Sequence, residues 1–233
     1  EKKILGFKTN VFRPSLIILK LFFDYFLFSD ENYKHTNISY QNLYFKLLEK
    51  CNLKIFYKQN FYTLQESEKD NYINIKTKLN LNYKFCIFHI DEKMAKFSMD
   101  NVNSIDFLIN ELSKKIKVII TTGIFEFKYS DYFFNKYKNY NYNDLLINYF
   151  NESERIVIIK KMPVDLLAYF LNESQANISF HAGLIVNISA ALNKNIIDII
   201  QKHKFDELNR WIPLNSKYKR YSFQKINQII ENF

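Results

Sequence analysis

Three short segments of this chain set groups that can hold an anion directly behind apolar runs. In Phe88-His89-Ile90-Asp91-Glu92-Lys93-Met94 a strand-like run gives way to a charged turn, where Lys93 can meet a diphosphate as a mobile point charge. In Ile178-Ser179-Phe180-His181-Ala182-Gly183-Leu184 an apolar run ends in a histidine and a glycine. Gly183 permits close backbone approach, and a helix starting there offers its first N–H groups and its dipole to phosphate. His181 can donate to a phosphate or a sugar hydroxyl. In Lys160-Lys161-Met162-Pro163-Val164 the thioether of Met162 can pack on a nucleobase. Each segment also has an ordinary reading: a charged loop, a strand-to-helix turn with a satisfied histidine, and a core methionine.

The rest of the sequence narrows the chemistry. His35 and His203 have no partners at catalytic spacing, and no Gly-x-Ser-x-Gly, Walker or Gly-x-Gly-x-x-Gly pattern occurs. This argues against serine hydrolases, P-loop enzymes and ordinary dinucleotide oxidoreductases. Cys51 and Cys86 form neither a disulfide framework nor a zinc pattern, which fits a reduced cytoplasm. The formal net charge is +9, but only Arg13, Arg155, Arg210 and Arg220 are arginines. Base readers favour arginine forks, so the lysines read as solvated surface. The most apolar stretch, Leu16 to Phe28, is interrupted by Lys20 and Asp24 and is too short to span a bilayer. It reads as a buried helix.

The elements that must position the three segments follow from periodicity. Ile4 to Phe7 reads as a short strand, residues 15–28 and 38–50 as helices, and residues 60–80 as a polar loop marking a domain boundary. Beyond it, strands are expected at Phe85–Ile90, Val118–Thr121, Ile156–Ile159, Ile178–Phe180 and Ile196–Ile200. Between them lie a helix capped by Ser104 carrying Ile105, Leu108, Ile109 and Leu112, an insertion over residues 128–150, a helix opened by Pro163 and a helix beginning at Gly183. Continuous apolar strands alternating with amphipathic helices imply a parallel sheet covered on both faces. Such sheets bind ligands at the carboxyl ends of their strands, so the turns after residues 90, 122, 160 and 181 should share one edge.

In this order the segments resemble the carboxyl-terminal domain of the heptosyltransferase-like glycosyltransferases, glycosyltransferase family 9. Glu92-Lys93-Met94 stands where the family has a Lys-Trp-like element. Val118-Ile119-Ile120-Thr121-Thr122-Gly123 matches its strand ending in Thr-Gly, and Met162 to Ala168 its Leu-x-Glu-Leu-Ala-like helix. His181 to Leu192 is similar to its Asp-Thr-Gly-x-x-His-x-Ala-Ala-Ala-Leu signature. The match spans roughly residues 83–200. His181 and Ala182 replace the family's acidic residue and hydroxyl, and its histidine is matched by Asn187, one position further on.

The resemblance implies an α/β fold with a Rossmann-like parallel sheet. It would be the C-terminal half of a two-domain GT-B fold plus a remnant of the N-terminal domain. Residues 1–80 would be the mostly helical tail and linker of the acceptor domain. Residues 81–233 would be the donor-binding domain with C-terminal helices. The expected reaction is inverting transfer of a sugar from a nucleotide-diphosphate sugar to a saccharide or glycolipid acceptor, with no cofactor and no metal. Lys93, Thr122, Gly123, Met162, His181, Ala182, Gly183 and Asn187 would line the donor site. The general base would belong to an early amino-terminal domain that this sequence, starting at a glutamate, is expected to lack. The implied setting is cell-surface polysaccharide or lipopolysaccharide synthesis in the cytoplasm, with peripheral contact to the inner membrane face and no nucleic acid. Two other readings stand beside it: a non-catalytic GT-B-like binding protein, and a basic nucleic-acid-binding α/β protein.

Overall fold

The structure, a computed structural model, describes residues 5–9, 25–29, 62–82, 84–94, 102–123, 125, 127–147, 154–208, 212–213, 217–231 and 233. The chain forms two compact units: residues 1–59 with 203–214, and residues 60–202 with 215–233. In the first unit, β1 (Leu5–Thr9) and β2 (Tyr25–Ser29) pair in parallel. The expected helix over 15–28 is therefore wrong at its end. Tyr-Phe-Leu-Phe is an aromatic run suited to a pleated surface, and a continuous apolar run does not distinguish buried strand from buried helix. The expected helix over 38–50 lies outside the described residues.

The second unit is built on seven parallel strands. They are β3 (Phe85–Ile90), β4 (Lys117–Thr122), β5 (Lys138–Asn141), β6 (Ile156–Lys160), β7 (Asn177–Ser179), β8 (Ile196–Ile199) and β9 (Tyr218–Tyr221), in the spatial order β5-β6-β4-β3-β7-β8-β9. The helices are α1 (Lys69–Lys78), α2 (Val102–Lys115), α3 (Ser130–Lys136), α4 (Tyr142–Ile147), α5 (Val164–Glu173), α6 (Gly183–Ala191) and α7 (Ile226–Glu231). This is the expected Rossmann-like α/β architecture.

Side-chain alternation along each strand builds two cores, one per face. Cys86, Phe88 and Ile90 of β3, with Ile178 and Phe180, pack under α2 and α7. Phe85 and Ile87, with Ile119, Val157 and Ile159, pack under α1, α5 and α6. On α2 the buried positions are Ile105, Leu108, Ile109 and Leu112, a stripe at helical period. The helix begins at Val102 rather than at Ser104, because the earlier start packs Val102 against the same core.

The chain enters this sheet at β3 in the middle and winds toward β5 with α2 and α3 on the first face. It then crosses back through α5 to β7 and on to β8 with α5 and α6 on the second face. Right-handed crossovers require the helices to change face when the winding changes direction. The reversal leaves β3 and β7 as neighbours, and their carboxyl ends flank the crevice where open α/β sheets bind ligands.

Three segments depart from expectation. Residues 60–80 belong to the second unit and hold α1, whose Tyr72 and Ile75 are buried. Tyr72 stacks on Tyr169 and meets Phe170 edge-on, so two inward residues hold a helix that is otherwise polar. The 128–150 insertion contributes an edge strand, β5, through main-chain pairing with β6 that an exposed, polar sequence does not advertise. At the carboxyl end, expected to be helical, β9 pairs with β8 before α7 forms.

The β7 strand is only three residues long, and a buried amide anchors it. Asn177 accepts from the Ser174 hydroxyl at 2.6 Å and donates to the Leu171 carbonyl at 3.2 Å and to Ser189 Oγ at 2.9 Å. It thereby ties the end of α5 to α6 over one face of the sheet. Asn177→Ala would strand buried polar partners and should lower stability by about 2–3 kcal/mol in urea unfolding. A loss within the ±0.5 kcal/mol or so usual for surface substitutions would show that the network carries no stability.

Candidate functional site

The seven strands are parallel, so all four turns singled out in the sequence leave the same edge of the sheet. After β3 the backbone turns tightly. The Asp91 carboxylate accepts from the Lys93 N–H at 3.0 Å, and the Asp91 carbonyl from the Met94 N–H at 3.1 Å. Met94 is fully buried and fixes the turn from below. Lys93 is half-buried, and its Nζ reaches the start of α6: a Cβ built on Gly183 would lie 3.7 Å from it. The first turn of α6 has no side-chain cap, since Ala182 occupies the cap position. A mobile cation and a set of helix N-terminal N–H groups thus meet at the β3/β7 crevice, the combination that favours an anion.

The turn after β4 closes against the turn after β3. Gly123 N–H donates to the Ile90 carbonyl at 3.3 Å, and a Cβ on Gly123 would come within 3.1 Å of Asp91 Cβ. The residue there must be small for the two loops to touch. Thr122 Oγ1 accepts from the Lys161 N–H at 3.3 Å and so joins the β4 and β6 turns. Beside them a cleft of about 200 Å³ is lined by Thr122, Gly123, Phe125, Phe134, Lys160 and Lys161, among others. Lys160 Nζ stands 5.0 Å from the Phe134 ring centre, and Phe125 is 68% exposed. The cleft combines aromatic faces with two cations.

Beneath these loops, on the face carrying α5 and α6, the apolar layer gives way to a polar row. In register across the strands lie His89 opposite Thr121, and Ser179 opposite Asp198. All four are buried. His89 Nδ1 and the Thr121 hydroxyl share a hydrogen bond of 2.9 Å. Burial, aided by the charge of Lys93, pushes the His89 imidazole down to about 4. Burial pushes the Asp91 carboxyl up to about 6, against the hydrogen bond from the Lys93 N–H. His89 Nε2 is 3.8 Å from Asp91 Oδ2, too far for a hydrogen bond, and near neutral pH the imidazole carries no charge to pair with. Ser179 Oγ is buried without a hydrogen-bond partner.

Asp198 carries the densest set of contacts. Oδ1 accepts the His181 backbone N–H at 2.6 Å. Oδ2 accepts from His181 Nδ1 at 2.7 Å and from the Tyr218 hydroxyl at 2.6 Å. Arg220 in turn donates to the Tyr218 oxygen from Nε at 3.3 Å and from a terminal nitrogen at 3.2 Å. His181 has φ of 60°, a left-handed conformation that a non-glycine residue adopts only when its surroundings hold it there.

The eight expected site residues are therefore distributed as follows. Lys93, Ala182 and Gly183 come together at the crevice, with His181 one residue before Ala182. Thr122 and Gly123 line the adjoining cleft. Met162 is 8% exposed and packs in the second core with Leu166, Ala182 and Ile185. Asn187 is exposed one turn along α6 from Gly183. Sequence reasoning missed Asp198, Tyr218, Asp91 and Phe125. A lone aspartate inside the apolar run Ile196–Ile200 was the available signal for the first, because a charge in a buried strand demands partners. Among the described residues no group of three or more His, Cys, Asp or Glu side chains is placed to hold a metal ion, and no helix is long and apolar enough to cross a membrane.

No protein-family model and no curated protein matches this chain. Among solved structures, it is similar to a glycosyl transferase of family 9 from Veillonella parvula, with a TM-score of 0.61 at 10% sequence identity. The aligned region covers 92% of this chain and 56% of that one, so the chain spans little more than half the length of the protein it matches. At that identity the likeness is one of fold. This chain has the fold of a family 9 glycosyltransferase over the region they share.

Proposed function

We propose that this chain supplies the nucleotide-sugar-binding part of a glycosyltransferase, one that moves a sugar from a nucleotide-diphosphate donor to a saccharide or lipid-linked acceptor. The observation that carries the reading is the approach of Lys93 Nζ to Gly183 at the uncapped start of α6, in the crevice between β3 and β7. The diphosphate lies there, held by Lys93 and by the N–H groups of the first turn. The base and ribose extend toward the Thr122–Gly123 turn and the cleft with Phe125 and Lys161. Met162 is buried in the core that also holds Ala182 and Ile185, and so supports the start of α6 through packing.

In the transfer, the acceptor hydroxyl oxygen attacks the anomeric carbon on the face opposite the departing diphosphate, and its proton passes to a general base that the resemblance assigns to the acceptor-binding domain. The carbon–oxygen bond to the diphosphate breaks, and its electron pair leaves as negative charge on phosphate oxygen. Lys93 and the α6 dipole are in place before that charge develops, which lowers the barrier without reorganisation. Heptose as the sugar, lipopolysaccharide as the product and the cytoplasmic membrane face as the place belong to this proposal through the resemblance alone.

Two measurements test it. Gly183 does not have positive φ, and a Cβ there meets only ordinary contact. Gly183→Ala should therefore leave stability unchanged or raise it by up to about 1 kcal/mol. It should weaken calorimetric binding of ADP, GDP, UDP or CDP, whichever binds, because the methyl group occupies the phosphate's line of approach. Lys93→Ala should weaken the same binding about tenfold, the size expected for one charge-assisted contact. Absence of heat and of any thermal shift with all four nucleotides and their sugar derivatives would end the donor-site reading.

A bound diphosphate also disfavours the charged form of Asp91, whose proton affinity is already raised to about 6. Binding should then take up part of a proton near pH 6.5, and affinity should fall as pH rises above that. Calorimetry in two buffers of different ionisation enthalpy gives the uptake, and Asp91→Asn should reduce it to what the nucleotide alone contributes. Equal uptake by both proteins would place the anion away from Asp91.

A further inference from the structure

The geometry points to His181 as a direct ligand of the donor's diphosphate, with Asp198 and Tyr218 as the positioning residues that fix its ring. This rests on the donor-site reading above. At this turn the chain carries a histidine where the family it resembles has an acidic residue.

The constraint starts from Asp198. A fully buried carboxylate is expensive to maintain unless donors surround it. Among the described residues its donors come from His181 and Tyr218: the His181 main-chain N–H, its Nδ1 and the phenol. A carboxylate only accepts, so Nδ1 carries the ring proton. Nε2 then donates to an anion only when the ring carries both protons, as an imidazolium held between the Asp198 carboxylate and the ligand. Both backbone and ring of one residue are clamped by the same carboxylate. That double hold accounts for the left-handed φ of 60°, which costs energy on its own.

The clamp is itself braced. Tyr218 keeps its proton and remains a donor, because burial and the neighbouring carboxylate push its phenol far up. Arg220 holds the phenol oxygen from the other side. The chain of contacts runs Arg220, Tyr218, Asp198, His181, from strand β9 to the residue that leads into α6. His181 is 8% exposed. It stands two residues before Gly183, where Lys93 Nζ arrives.

The test uses the full chain labelled with nitrogen-15. Long-range proton–nitrogen spectra distinguish the two ring nitrogens, and His181→Gln identifies the signals of His181 among the four histidines. In the wild type Nδ1 should be the protonated nitrogen. In Asp198→Asn the side-chain amide donates to Nδ1, so the proton should move to Nε2, a change that mere loss of packing does not produce. Adding the nucleoside diphosphate that binds should shift the His181 signals. Both His181→Gln and Asp198→Asn should weaken its affinity about tenfold, the scale of one hydrogen bond to a charged group. Tyr218→Phe, which keeps the ring and the fold, should weaken it by a smaller factor in the same direction. Nucleotide binding that is unaltered in His181→Gln overturns the inference while leaving the donor site standing. So does a tautomer that ignores Asp198→Asn. If the wild type binds no nucleoside diphosphate, the donor site falls and this inference with it.

Discussion

The pairing of β3 with β7 is the contact on which the site depends. Only Ile87 with Asn177 and Phe88 with Ile178 are in register there, yet this short seam joins the two halves of the sheet. It sets the turn carrying Lys93 beside the turn carrying His181 and Gly183. Packing on both faces makes so brief a strand dependable. Phe88 meets Phe180 edge-on at 5.7 Å on one side, a contact of about 0.5–1.5 kcal/mol beyond burial. On the other side the Asn177 network ties β7 to α5 and α6. Relaxing either layer would alter the separation of the two turns, and with it any site that needs both.

The electrostatics of the edge follow from what that packing buries. Lys93, Lys160 and Lys161 bring positive charge, but Asp91 and Asp198 lie among them, and the charge of Asp198 itself adds to the upward push on Asp91. The site is therefore not a simple basic patch. Asp91 and His89 also act on stability in opposite directions. Asp91, raised from 3.8 to about 6, stabilises the fold below its unfolded value and loses that contribution as pH rises through 6. His89, lowered from 6.5 to about 4, contributes above 6.5 and loses its contribution as pH falls through 4. The two slopes oppose one another over nearly the same window. A polar row that would otherwise make the sheet edge sensitive to mild acid is thus partly compensated.

Much of this architecture was legible in the sequence because the central strands are continuous apolar runs bounded by the chain's few glycines and prolines. Phe85–Ile90, Val118–Thr121 and Ile156–Ile159 could be read as strands, and Gly183 and Pro163 mark the starts of α6 and α5. The residues that were missed depend on long-range partners. β5 and β9 are polar edge segments whose identity comes from main-chain pairing with β6 and β8. The α1 helix shows almost no amphipathic pattern, and Tyr72 finds its stacking partner Tyr169 nearly a hundred positions away. Local propensity is a weak prior against such tertiary contacts.

The site divides along the same line. Lys93 and Gly183 were visible because each follows a strand and supplies a recognisable anion-binding group. Their separation of ninety positions is bridged by topology, and parallel winding alone brings them to one edge. Asp198 had no local signature of function beyond its charge in an apolar run: within Ile-Ile-Asp-Ile-Ile it resembles an interruption of a core strand. Its meaning appears only with His181, Tyr218 and Arg220 around it. A fully buried charge within a sheet is costly, and a left-handed histidine is costly. Here each supplies what holds the other, so neither could be replaced singly without exposing the cost of its partner. That mutual dependence distinguishes a built constellation from two unrelated imperfections, and it places the constraint at the turn that leads into α6.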